Sequence, residues 1–200
     1  MVRNKTQSLT ITAIFTGLLL LQSFVPNVGY LYILPGLPAI TTIPLTVAVY
    51  GVLMGPKAGG FFGLTWGILS LIVAYTQPAD PASLLLFQNP LIAILPRYFA
   101  GLFAGVAQPK HAQGTAWHSA LGGLLASALN TLLVIVFASL IFMHNPTALT
   151  SHLGHINQNN PLILILLLAL GVNGISEAIF TALVTPLITV PLLKYARAHF

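Results

Sequence analysis

Five polar side chains interrupt the long apolar runs of this 200-residue sequence: Arg97, Asn130, Thr131, Asn173 and Glu177, with Gln88 and Asn89 near the end of one run. Arg97 is the costly one. An uncompensated arginine deep in a bilayer costs roughly 2.5–3.5 kcal/mol on insertion scales. A carboxylate elsewhere in the chain, a snorkel to the interface or an anionic ligand would each offset that cost. The carboxylate in the apolar runs is Glu177, so a structural Arg97–Glu177 pair is one reading. An arginine can hold two carboxylates, so such a pair is compatible with ligand binding. Counted along helices, Arg97, Asn130 and Glu177 fall near mid-membrane or in its outer half. Similar depth on three helices implies one shared internal site, with Asn130, Thr131 and Asn173 as hydrogen-bonding partners for a ligand.

Other chemistry is poorly supplied. The chain has no cysteine, which excludes disulfides, thiol catalysis and cysteine metal sites. No serine and histidine fall into a nucleophile–base pattern, and one carboxylate in the spans makes no catalytic pair. His111, His118, His144, His152, His155 and His199 lie in loops or at helix ends. His152 and His155 are spaced to share a metal, but nothing nearby completes a ligand set, so no metal site and no cofactor are assigned. The expectation is a protein that is not an enzyme. Trp117 suits an interfacial belt, and Trp66 is given no role.

The elements that must position these residues are membrane helices. Charged residues are 4% of the chain, hydrophobic ones 56%, and the mean hydropathy is +0.92; soluble domains carry about a quarter charged residues. At ~20 residues per span, residues 1–200 read as a single integral membrane domain with no room for a nucleotide-binding domain. The formal charge of +5 comes from cations spread singly, which points to the lipid bilayer and not to nucleic acid. The fold class expected is an all-α membrane protein, a six-transmembrane-helix bundle. The N-terminal apolar run has no A-x-A-like cleavage site and reads as a retained helix.

The first helix is expected from a cap at Ser8 or Thr10 to about Phe24. A Gly-, Pro- and Tyr-rich loop over Asn27 to Ala39 then folds back over the bundle. Helices follow from about Thr42 to Met54, Ala58 to Tyr75, a fourth through Arg97 broken near Pro90 and Pro96, Ala116 to Met143, and Pro161 to Tyr195. The last is too long for one straight span, and Pro186 is a candidate kink. Six spans put Arg3, Lys5, Lys57, Lys110, Lys194 and Arg197 on one side and no lysine or arginine in the opposite loops. Both termini are therefore expected in the cytoplasm. Ala13-x-x-x-Gly17 leaves a flat strip that serves internal packing or the docking of a partner helix. The ladder Gly59, Gly60, Gly63 and Gly67 has the same two readings, with packing inside the chain favoured.

Several segments together resemble the substrate-binding S components of energy-coupling factor (ECF) vitamin transporters. They are the Ala13/Gly17 strip, Thr41-Thr42-Ile43-Pro44, the run from Gly51 to Gly59 with Gly63 beyond, Pro96-Arg97, Ser127-Ala-Leu-Asn-Thr131, and Asn173 with Glu177. The Gly-Pro-Lys-Ala-Gly turn, Pro-Arg and Asn-Thr are most similar to the pantothenate-specific branch. The resemblance implies a six-helix subunit of a bacterial plasma membrane that binds a vitamin from outside. It implies partners, a transmembrane coupling subunit and two ATPase subunits, with delivery by toppling in the membrane. It also implies docking through Ala13 and Gly17, and a lid over Asn27 to Thr42. Tyr30 and Tyr32 would exclude water from the pocket. An S component for pyridoxine or a hydroxymethylpyrimidine is the alternative, although such ligands need no buried arginine. A solitary secondary carrier would show duplicated halves or a proton relay, and neither is evident. A membrane-embedded enzyme lacks its catalytic set.

Overall fold

The computed structural model describes residues 5–25, 28–31, 40–77, 85–108, 115–145 and 161–199. Among them run α1 (Lys5–Phe24), α2 (Ile43–Met54), α3 (Pro56–Thr76), α4 (Pro90–Val106), α5 (Ala116–Phe142) and α6 (Leu162–His199). A single helical turn at 85–87 precedes α4. Four of these helices, α1, α3, α5 and α6, are long and apolar enough to cross a membrane. The other two are apolar but short. At 1.5 Å per residue, the 12 residues of α2 reach only about 18 Å and the 17 of α4 about 26 Å, against a hydrocarbon core of about 30 Å. The protein is thus a helical, multi-pass membrane protein. Among the described residues its departure from a purely helical fold is a two-residue antiparallel pairing, β1 (Tyr30–Leu31) with β2 (Ile40–Thr41), in which Tyr30 is in register with Thr41.

Local signals explain most helix ends. Proline occupies the first turn of α2, α3 and α4, where its missing N–H has no helical partner to lose. Asn89 caps α4 by accepting a hydrogen bond from the Leu91 amide at 3.0 Å. Gly55, at φ +91°, lets the chain reverse between α2 and α3. The expected cap of α1 is corrected. The helix already runs at Lys5, and Thr10 and Thr12 donate back to the carbonyls of Thr6 and Ser8 within it. The expected break of α4 is corrected too: Pro96 lies inside a continuous helix. Likewise α6 is one helix of 38 residues containing Pro186 and Pro191. At about 57 Å it exceeds the bilayer core and must tilt or emerge.

Close backbone approach holds the bundle together, since lipid gives helices little hydrophobic reason to associate. The pair α3–α4 is the most extensive. It is built on the glycine ladder: a Cβ on Gly59 would strike the Gly101 carbonyl, one on Gly63 the Arg97 carbonyl, and one on Gly67 the Ile94 Cα at 2.7 Å. The ladder therefore serves packing within the chain. Gly123 and Gly174 do the same for α5–α6, facing Thr181 and Thr131. Along α6, Thr181, Thr185 and Thr189 form a fully buried stripe. Each hydroxyl donates to the carbonyl four residues back, so the stripe needs no partner on another helix. Two large apolar clusters and a smaller one of Ala48, Ala104 and Ala126 fill the rest. One large cluster joins Leu19, Val47, Tyr50, Phe62 and Trp66, and the other joins Leu86, Ile92, Val134, Ile135 and Leu166.

Helix α1 sits at the margin. Leu19 is its fully buried side chain, and two polar ties fix it to α2. Thr12 shares a hydrogen bond with the Tyr50 hydroxyl at 2.9 Å, and Gln22 bonds both Thr42 and Thr46 at 2.9 Å. Ala13 and Gly17 are exposed, and a Cβ added at Gly17 meets nothing within 4 Å. Of the two readings of that strip, packing within the chain is not the one the fold adopts.

Candidate functional site

Between the two large apolar clusters lies a cavity of about 340 Å³. That is at the lower end of small-ligand pockets, roughly 300–1,000 Å³. Arg97, Asn130, Thr131, Asn173 and Glu177 all line it, so three helices deliver the expected polar residues to one place. Tyr32 lies outside the described residues, and of Tyr30 only the backbone is described. That backbone is opposite Thr41, which itself lines the cavity.

Arg97 is 4% exposed. Its Nη1 donates to the Ile92 carbonyl at 2.7 Å, while its buried Nε has no hydrogen-bond partner. Aromatic rings flank the guanidinium: its carbon lies 4.4 Å from the Phe87 ring centre and 5.3 Å from that of Trp66. Both contacts are within cation–π range, which favours the charge where water is scarce. Among the described residues Nη1 alone of its nitrogens has a hydrogen-bond acceptor, so donors remain for an incoming anion. A carboxylate matches a guanidinium edge with two parallel charge-assisted bonds.

Glu177 is 6% exposed and is held from a different side. Its Oε1 accepts from the Thr41 amide at 2.9 Å and from Asn173 Nδ2 at 3.2 Å. Among the described residues no ion pair joins Arg97 to Glu177; each is tied to its own neighbours. The structural pair weighed from the sequence is therefore not formed among the described residues. Arg97 spends Nη1 on the Ile92 carbonyl, and Glu177 spends Oε1 on the Thr41 amide and Asn173. The Oδ1 atoms of Asn130 and Asn173 are buried without partners. Unmet buried acceptors each cost about 1–3 kcal/mol, and here they line the same space as a guanidinium with an unmet donor. The site presents acceptors at one region and a cation at another, with Ile43, Pro44, Val134 and Leu170 as apolar wall.

Sequence reasoning missed Trp66 and Phe87. For Trp66 a signal existed: it lies three residues after Gly63, on the glycine-marked face that meets α4 at Arg97. Phe87 stands in the single turn before α4 and no helical period marks it. Thr41 enters through its backbone amide, which side-chain patterns do not reveal.

Residues 7–189 match the family model described as "ECF transporter, substrate-specific component". The chain is also 35% identical over 164 residues to the pantothenate transporter PanT of Leuconostoc mesenteroides subsp. mesenteroides, covering 76% of this chain and 79% of that protein.

Proposed function

Because this chain belongs to the family of substrate-specific components of ECF transporters, we propose that it is the pantothenate-binding subunit of an ATP-driven vitamin importer. The observation that carries the ligand assignment is Arg97: a buried guanidinium flanked by aromatic rings, with an unmet Nε, beside buried amide acceptors. Pantothenate has one carboxylate, two hydroxyls and an amide. Its carboxylate takes the Arg97 edge. Its hydroxyls and amide N–H have acceptors in Asn130, Asn173 and Glu177, with Thr131 beside them. The name of the Leuconostoc relative supports the same ligand. Tyr30, Tyr32 and the lid segment Asn27 to Thr42 close the pocket in this reading.

The chain binds and delivers its ligand without converting it. ATP hydrolysis belongs to two partner ATPases, and force reaches this subunit through a transmembrane coupling subunit. All six helices, including short α2 and α4, lie at membrane depth, with both termini in the cytoplasm of a bacterial cell. The placement of Arg3, Lys5, Lys57, Lys110, Lys194 and Arg197 supports that orientation. Uptake of labelled pantothenate into liposomes holding the full complex, with and without internal ATP, tests the function. ATP-dependent accumulation is expected, and its absence with an otherwise active complex would rule the assignment out.

The exposed Ala13/Gly17 strip is the docking face for the coupling subunit. Gly17→Leu is expected to leave pantothenate binding by the isolated subunit unchanged, because no atom of the chain lies where the new side chain begins. Co-purification of the coupling subunit should fall sharply. Undiminished co-purification would place docking elsewhere.

A further inference from the structure

We infer that Pro96 is a positioning residue for ligand-carboxylate recognition: by lacking an N–H, it leaves the Ile92 carbonyl free to orient the Arg97 guanidinium. In an α-helix the amide of residue 96 would donate to the carbonyl of residue 92. Pro96 lies inside α4 and cannot make that bond. The carbonyl it leaves behind is the one that accepts from Arg97 Nη1 at 2.7 Å. Ile92 and Pro96 are fully buried and Arg97 nearly so, which limits competition from water for the carbonyl. One helix defect thus supplies a fixed acceptor next to the arginine that needs one. With Nη1 tied to Ile92 and the rings of Phe87 and Trp66 against it, the guanidinium is held in place, and its Nε is a donor still without a partner. An alanine at 96 would donate into the same carbonyl and loosen that orientation, without emptying the pocket of any ligand contact.

This inference rests on the pantothenate reading, and its test separates the two. The purified subunit is titrated with pantothenate and with the corresponding alcohol, which keeps the hydroxyls and amide and lacks the carboxylate. Pro96→Ala is expected to weaken pantothenate binding by roughly ten-fold, the scale of one hydrogen bond to a charged group. Binding of the alcohol should be unchanged, and the thermal midpoint equal or higher, since alanine favours a helix interior. In parallel, arginine-selective 15N labelling reports only Arg3, Arg97 and Arg197. In wild type one guanidinium should show an Nη proton protected from exchange with water, and in Pro96→Ala that protection should be lost. An unchanged protected resonance, or equal weakening of acid and alcohol, would overturn the role of Pro96. Failure of wild type to bind pantothenate would instead remove the ligand reading, while the resonance would still decide the geometry.

Discussion

Arg97→Ala is expected to weaken pantothenate binding by at least about 100-fold, because removing one partner of a buried charged contact costs roughly 3–5 kcal/mol and every 1.4 kcal/mol is ten-fold. The loss should be selective. Binding of the alcohol analogue should change far less, because Asn130, Asn173 and Glu177 remain. The variant should still insert and keep its fold. Truncation deletes a costly buried cation and leaves behind one unbonded carbonyl, that of Ile92, which Pro96 cannot supply. Arg97→Lys should restore only part of the affinity, since an ammonium cannot make two parallel bonds to a carboxylate. Isothermal titration of purified variants with both ligands checks this. Wild-type affinity for pantothenate in Arg97→Ala would remove Arg97 from the site.

Gly63→Ala is the second large effect, and it links packing to the site. A Cβ at Gly63 would strike the carbonyl of Arg97 and lie 3.3 Å from the Cα of Tyr98. Neither is the movable end of a side chain, so α4 itself must shift. Overpacking of this kind costs roughly 1–3 kcal/mol, a fall in thermal midpoint of about 2–12 °C for a chain of this length. Because the displaced backbone carries Arg97, pantothenate affinity should drop as well. Gly60→Ala is the matched control. Its Cβ approaches the ring edge of Tyr98 at 3.2 Å, which can turn aside. Gly17→Ala, with nothing within 4 Å, should be neutral in the isolated subunit. Thermal unfolding in detergent beside ligand titration reads both quantities. Equal midpoints for the three variants would mean that α3 and α4 do not pack as described.

Much of this architecture was legible in the residues. Apolar runs bounded by Gly, Pro and polar turns locate α3 and α5 to within about two residues, as expected for strong hydropathy contrast. The convergence of Arg97, Asn130 and Glu177 was legible from depth alone, since helices of known rise place equal counts at equal depth. Proline misled. Pro90 begins α4 and Pro96 sits within it, because in a buried helix a freed carbonyl can be satisfied by a side chain, here that of Arg97. The absence of an Arg97–Glu177 pair was not legible either. Glu177 accepts instead from the Thr41 amide, a contact between residues 136 apart in sequence. Nor was Phe87, whose place over the guanidinium comes from a single turn without a repeat. From spacing alone the Ala13/Gly17 strip read first as an inner packing surface, and the position of α1 at the bundle's margin shows it to be outer.

The central claim is that one buried arginine reads the carboxylate of pantothenate in a cavity formed by this chain. The most direct measurement is titration of the purified wild-type subunit, without its partners, with pantothenate and with its alcohol analogue. Saturable binding of one pantothenate per chain, with the alcohol at least about ten-fold weaker for want of a charge-assisted contact, is the predicted result. Equal affinity for the two ligands, or no binding of pantothenate by a folded subunit, would contradict it.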